Sequence, residues 1–165
     1  MILETERLYL RHFVMSDARR LAEYRSKPEV MEYQSWDHYT LQDAQDRILY
    51  LIQRQEFHKP KTDYHLAIIL KETQTLIGDL FVEIVNRRIF VLGYTFDSDY
   101  WSHGYATEMV SAFIQYMKET FGFKKVICYA YIDNVRSIRL LQRLHFMKFD
   151  ESYYYNDVGY IKKIK

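Results

Sequence analysis

The sequence predicts an α/β (α+β) fold: a mixed central sheet of about six to seven strands, helices on both faces, and a splay between two central parallel strands. Three observations carry this. Ala106, Met109, Val110, Phe113, Ile114 and Met117 recur at helical spacing and form one apolar stripe that must pack on a sheet. Residues 65–70, 75–85 and 88–96 are strand-like runs separated by short polar turns, which is the pattern of an antiparallel meander. Residues 124–132 are apolar on both faces, as in a buried strand reached by a crossover helix and lying parallel to the strand that ends at Phe96. Two parallel strands that diverge leave a crevice at their carboxyl ends, the usual ligand position in α/β sheets.

The remaining elements follow in chain order. Residues 8–13 alternate as a strand, and Ser16-Asp17 then caps a helix carrying Ala18, Leu21, Ala22 and Tyr24. Lys27-Pro28 ends it. An aromatic loop, Tyr33-Gln34-Ser35-Trp36-Asp37-His38, leads to a second helix with Thr40 and Asp43 spaced as a capping box and Ala44, Ile48, Leu51 and Ile52 on its apolar face. Lys71-Glu72-Thr73-Gln74 and Asn86-Arg87 supply the meander's turns. A helix follows Asn134, and residues 147–150 and 158–164 form a closing strand pair joined through a turn at 153–157 near the cleft. With no repeat, linker or low-complexity segment, residues 1–165 read as a single domain.

Composition narrows the function classes. The 23 Lys+Arg against 22 Asp+Glu give a formal charge of +1, so no strong field draws the molecule to nucleic acid or to an anionic membrane. No long apolar segment or secretory signal opens the chain, and the expected location is cytoplasmic. The lone Cys128 sits in an apolar run and forms neither an internal disulfide nor a metal site, so no metal is expected. The 16 tyrosines combine an apolar body with a polar tip, which suits a lined cleft or a homodimer interface, although many would serve simply at the sheet edges. The signatures of P-loop hydrolysis, zinc proteolysis and serine hydrolysis are missing from the sequence.

The informative stretch is residues 92–109, an apolar strand that passes through a polar loop into the striped helix. Gly104 allows close approach of backbone to a ligand and Ala106 keeps the first turn uncrowded, so the free N–H groups of residues 103 to 107 can face an anion. Trp101-Ser102-His103-Gly104-Tyr105-Ala106 resembles the pyrophosphate loop, Q/R-x-x-G-x-G/A, of the GNAT superfamily of N-acetyltransferases. Asn134 through Phe146 is similar to the family's N-x-x-S-x-x-x-x-x-K-L-G-F helix, and Leu3-Glu4-Thr5-Glu6-Arg7-Leu8-Tyr9-Leu10-Arg11 resembles the opening of its RimJ/RimL-like branch.

The resemblance implies a GNAT fold, acetyl-CoA (coenzyme A) as cofactor, and direct attack by a primary amine on the acetyl group. A protein N-terminus, an antibiotic, a polyamine or an amino acid would each serve as acceptor. It implies cofactor contacts at Tyr94, Thr95 and Phe96 along the strand, at Ser102, His103, Gly104, Tyr105, Ala106 and Thr107 in the loop, and at Asn134, Ser137, Arg139 and Arg143 on the next helix. Tyr33, Trp36 and His38 occupy the region that varies with the acceptor and are candidate substrate contacts; a loop pinned by packed aromatics is the plainer alternative. Glu108 suits the positive end of the helix and reads as structural.

The departures from the family pattern matter as much. His103 replaces a Lys or Arg, so that one phosphate contact is either lost or made pH-dependent, and His145 stands where a glycine usually ends the helix. Leu141 replaces the common tyrosine acid and Val91 the common glutamate. Ser137 then matches the serine that protonates the thiolate in the ribosomal-protein branch, while Asp79, Glu83, Tyr94 or water would take the base's place. Ser137, Tyr94 and Glu83 are therefore the candidate catalytic residues. Val91 and Leu141 also motivate an alternative, an acyl-CoA-binding sensor with weak turnover or none.

Overall fold

A computed structural model describes residues 1–54, 56, 58–152 and 154–165. Its single eight-stranded sheet runs in the order β1-β2-β3-β4-β5-β6-β8-β7. The strands are β1 (Leu3–Glu4), β2 (Leu8–Arg11), β3 (Asp63–Leu70), β4 (Thr75–Asn86), β5 (Ile89–Phe96), β6 (Lys125–Tyr131), β7 (Met147–Ser152) and β8 (Asp157–Lys163). Every neighbouring pair is antiparallel except β5 and β6. The strand beyond the expected seven is β1, whose two residues are too few to show alternation. Of the turn expected at 153–157, Tyr153 lies outside the described residues.

Helices α1 (Ala18–Arg25), α2 (Pro28–Met31), α3 (Leu41–Ile52), α4 (Tyr105–Phe121) and α5 (Val135–Arg143) complete the chain. Leu21 and Tyr24 of α1 and Ala44, Ile48 and Leu51 of α3 pack on one face of the sheet against Ala67, Ile69 and Leu76. Met109, Val110, Phe113, Ile114 and Met117 of α4, with Leu140 and Leu141 of α5, pack on the other against Leu66, Ile68, Leu80, Leu92 and Phe96. The stripe read from the sequence is thus the buried face of α4.

Local chemistry explains the boundaries. Thr40 Oγ1 accepts the Asp43 N–H at 3.1 Å while the Asp43 carboxylate accepts the Thr40 N–H at 2.7 Å, and α3 begins there. Asn86 Oδ1 accepts the N–H groups of Arg88 and Ile89 at 2.8 and 3.1 Å, closing the β4–β5 turn. At α1 the expected cap is replaced. Asp17 makes no side-chain bond to the helix. Its carboxylate accepts a two-pronged, charge-assisted bond from Arg11 at 2.7 and 2.9 Å, and the Val14 N–H at 2.9 Å, which together turn it away from the α1 amides. Pro28 ends α1 as expected and also occupies the first position of α2, where its missing N–H leaves no bond unmade.

Candidate active site

The site begins where β5 and β6 part. Their pairing runs Ile89↔Lys125, Phe90↔Val126 and Val91↔Ile127 and stops, although β5 continues to Phe96 and β6 to Tyr131. On its other edge β5 stays paired with β4 as far as Phe96↔Gly78. The backbone of residues 92–96 that faces β6 is therefore left open. A cavity of about 530 Å³ fills the opening and passes through the sheet. Tyr94, Asn134 and Ser137 line it on the α5 side; Arg25, Trp36, His65, Asp79, Phe81 and Thr95 line it on the α1 side.

Strand parity produces this division. The rows His65/Phe81/Gly93 and Ala67/Asp79/Thr95 are cross-strand partners and share one face, whereas Leu66/Leu80/Tyr94 share the other. Tyr94 therefore reaches toward α5, where its hydroxyl lies 2.7 Å from Ser137 Oγ. Asn134 Oδ1 accepts the Ser137 N–H at 3.2 Å and so fixes the start of α5. Burial, the neighbouring Cys128 and, in the opposite sense, Ser137 and Arg143 act on the Tyr94 phenol; the net effect pushes it well above its ordinary value, so it remains a donor. The buried Cys128 thiol is likewise pushed up by burial and supplies no thiolate.

At the mouth of α4, Gly104 holds φ = 81° and ψ = 0°, a conformation in which a side chain is strained. Glu108 N–H makes the first helical bond, to the Gly104 carbonyl at 3.0 Å. Among the described residues, no backbone acceptor meets the N–H groups of residues 104–107. The loop before them is tightly held. Trp101 Nε1 donates to the Phe96 carbonyl at 2.9 Å, and Arg7 donates to the His103 carbonyl at 2.9 Å. The Glu108 carboxylate accepts from the Thr5 hydroxyl at 2.6 Å, the Arg7 amide at 2.9 Å and Arg7 Nε at 2.7 Å. Burial would raise this carboxyl, but these bonds hold it below its ordinary value. Glu108 is thus a strut between the N-terminal segment and α4.

The other wall rests on a buried polar cluster. Arg25 contacts Asp79 at 2.6 Å with both side chains almost wholly covered, and the Tyr24 hydroxyl donates to the same carboxylate. Arg25 also lies 4.5 Å from the centre of the Trp36 ring, whose Nε1 donates to the Arg25 carbonyl at 3.0 Å. Nearby, Asp97 is fully buried and accepts from Lys27 at 2.6 Å and from Arg20, tying the end of β5 to α1 and to the residue that precedes α2.

Comparison with known proteins identifies this arrangement. The family model "Acetyltransferase (GNAT) domain" matches residues 7–147. The chain belongs to the GNAT acetyltransferase family. An uncharacterized N-acetyltransferase, p20, of Bacillus licheniformis is 30% identical over 149 residues, covering 88% of this chain and 82% of that protein. The crystal structure of a GNAT-family acetyltransferase from Bacillus anthracis matches with a TM-score of 0.85 at 20% identity, covering 99% of this chain and 98% of the other. RimL, a ribosomal L7/L12 alpha-N-protein acetyltransferase in complex with coenzyme A, matches with a TM-score of 0.81 at 17% identity, covering 99% and 97%.

Set in this acetyltransferase, the residues singled out from the sequence divide. Tyr94, Thr95, Asn134, Ser137, Tyr33 and Trp36 line the cavity, and Gly104 through Thr107 open α4. Phe96, by contrast, is buried in the core. His103 is exposed, stacks on Tyr105 with ring centres 5.7 Å apart, and lies 2.7 Å from the Trp101 carbonyl through Nδ1. Arg139 and Arg143 are exposed along α5. Glu83 and His38, candidates for the acceptor side, also fall outside the cavity lining. Glu83 shares a face with Asp79 and Phe81 but sits further along β4, paired with Val91, and is exposed. His38 points outward and pairs with Asp37 at 2.7 Å, because the chain there is already turning into the α3 cap. The reading of the sequence missed Arg25 and the place of His65, although polar residues at matching parity inside two apolar strands were the available signal.

Proposed function

We propose that this chain, as one domain over residues 1–165, is an acetyl-CoA-dependent N-acetyltransferase that passes an acetyl group to a primary amine by direct attack. The observation that carries this is the convergence of two sets of backbone groups: the edge of β5 at residues 92–96, unpaired with β6 and open except at the Phe96 carbonyl, which Trp101 takes, and the free N–H groups of residues 104–107. Together they fit a long ligand with a diphosphate at one end, and the glycine at 104 leaves room for close approach. The coenzyme A bound by RimL, a protein of the same fold, supports the assignment.

Acetyl-CoA supplies an activated thioester. The chain's part is to position and to move protons. The N–H groups of residues 104–107 hold negative charge, and the open β5 backbone orients an extended arm and presents N–H donors to a developing oxyanion. Ser137 Oγ, hydrogen-bonded to the Tyr94 hydroxyl, holds a proton for the departing sulfur, and Tyr94 stands behind it as a second donor. The acceptor enters from the α1 side past Tyr33 and Trp36.

The test is release of free thiol from acetyl-CoA over a panel of amines, with calorimetry of coenzyme A alongside. Ser137→Ala and Tyr94→Phe are expected to lower kcat by about ten- to a hundredfold, at the low end of acid–base effects, and to leave coenzyme A affinity within about twofold. A second reading, a binding module without turnover, draws on Val91, which is engaged with Ile127, and on Leu141, which is fully buried. Tight coenzyme A binding with no thiol released on any amine selects that reading.

A further inference from the structure

We propose that His65 is a specificity-determining residue of the acceptor side: its ring offers one fixed N–H donor to an oxygen of the amine substrate, at a distance from the reacting nitrogen. This rests on the transferase reading above and deepens it.

The geometry fixes the tautomer. His65 Nδ1 lies 3.2 Å from a guanidinium nitrogen of Arg25, and a guanidinium only donates, so Nδ1 accepts. In the neutral ring the proton then sits on Nε2. Arg25 cannot turn away, because the buried Asp79 carboxylate holds it at 2.6 Å and it lies over the Trp36 ring. Phe81 meets the ring edge-on, with centres 5.3 Å apart and planes at 81°, and holds its orientation. The groups facing His65 are Arg25, Asp79 at 3.5 Å and, at longer range, Arg47. Burial first, then the two arginines, keep its pKa well below the ordinary histidine value, so the ring is neutral at physiological pH.

Among the described residues, no partner meets Nε2, and no buried side-chain polar atom lacks one. Nε2 therefore opens on the cavity that His65 lines. A neutral ring whose only free polar atom is N–H can bond a carbonyl, carboxylate or hydroxyl oxygen. It offers nothing to an ammonium group. His65 is on β3, two strands from the open edge of β5, which is about 10 Å at ordinary strand spacing. The oxygen it reads therefore lies several bonds from the nitrogen that is acetylated. Elongated amines with a distal oxygen fit; linear polyamines and simple alkylamines do not.

The experiment uses the whole chain and a ladder of ω-amino amides with one to seven methylenes, each against the alkylamine of equal length, at equal free-amine concentration. Chain extension of about 1.2 Å per bond places the largest advantage of the amide at about five to seven methylenes. We expect at least a tenfold gain in kcat/KM there, carried by KM, as for a contact made equally in the ground and transition states. His65→Leu should abolish the gain by raising KM for the amide about tenfold more than for its alkylamine partner. His65→Gln, which keeps a donor, should retain most of it. Nitrogen-15 resonances of His65 should show the neutral Nε2–H tautomer from pH 6 to pH 8.5 and should move with the long amide but not with its alkylamine. An Nδ1–H tautomer, no preference at any length in wild-type protein, or equal losses on both partners of a pair in His65→Leu would overturn the proposal. Loss of coenzyme A binding in wild-type protein would instead overturn the transferase reading, and calorimetry separates the two.

Discussion

Replacing Asp97 by asparagine tests whether the loop between β5 and α4 is anchored as the structure indicates. The Asp97 carboxylate is fully buried, accepts from Lys27 at 2.6 Å, from the Asp99 amide at 3.2 Å and from Arg20, and both cations keep about a quarter of their side chains exposed (25% and 26%). Each charge-assisted bond contributes about 1.5–3 kcal/mol, and a neutral one about 1 kcal/mol. Asparagine retains one oxygen, so with that oxygen at Oδ1 the Lys27 and Asp99 bonds persist but weaken without the carboxylate charge, while the Arg20 bond is lost and an N–H is turned toward that cation. The sum is about 3 kcal/mol, with solvent access to the cations trimming the upper end. For a chain of this size that corresponds to a fall in Tm of about 6–12 °C.

The pH dependence supplies the check. Burial alone would raise the Asp97 carboxyl, but the bonds from Lys27, Asp99 and Arg20 outweigh it and hold it below its ordinary value. A depressed carboxyl stabilises the fold above its unfolded pKa, about 3.9, and that stability is lost as pH falls through the folded value. The gap between wild type and Asp97→Asn, followed by circular dichroism melts, should hold steady from about pH 8 to about pH 5 and close below about pH 4. A variant that melts within about 1 °C of wild type at pH 7, or a gap that persists in acid, would refute the anchoring role.

Three further outcomes follow from other parts of the site. Gly104→Ala forces a side chain into φ = 81° and brings its Cβ within 3.4 Å of Arg7, so a loss of about 1–2 kcal/mol is expected together with weaker coenzyme A binding by calorimetry; unchanged affinity would separate this glycine from the cradle. Asp79→Asn strands the Arg25 charge, and chemical denaturation should show a loss of about 3–5 kcal/mol, whereas a loss under about 1 kcal/mol would mean the pair is not as buried as described. Glu108→Gln weakens the bonds to Thr5 and Arg7; because the Glu108 carboxyl is depressed, the resulting drop in Tm should be present at neutral pH and vanish as pH falls through its folded value.

What could be read in the sequence was local, and what could not was relational. The α4 stripe, the Thr40–Asp43 box and the meander turns depend on residues a few positions apart, where periodicity and capping chemistry act directly. The partnership of Arg25 with His65 and Asp79 joins residues 40 and 54 positions apart, and no spacing rule announces it. Glu83, named as a stand-in for the glutamate that Val91 replaces, shows the same limit. Asp79, Phe81 and Glu83 all point to one face of β4, but which of them meets the opening depends on where the β5–β6 pairing ends, at Val91↔Ile127. Alternation fixes a strand's face and says nothing of depth along it. His38 shows the same gap, since its neighbours in sequence are aromatic while its position is set by the α3 cap.

Direct transfer between two bound molecules requires that both be held within a fraction of an ångström of a productive geometry. Apolar packing alone is poorly suited to this, because it is non-directional and tolerates small slides between layers. In this chain the elements that flank the splay are joined to the meander strands by buried and half-buried polar contacts in addition to their apolar packing. Asp97 fastens the end of β5 to α1 and to Lys27, Asp79 fastens β4 to α1 through Arg25 and Tyr24, and the Tyr94–Ser137 bond fastens β5 to α5. Hydrogen bonds are directional and weaken steeply when misaligned, so each contact sets a register that hydrophobic burial leaves loose. The α1-side wall and the α5-side wall of the cavity are therefore both referred to the same pair of strands, β4 and β5. Loosening Asp97 should for that reason disturb acceptor KM as well as coenzyme A affinity, even though Asp97 itself lines neither wall of the cavity.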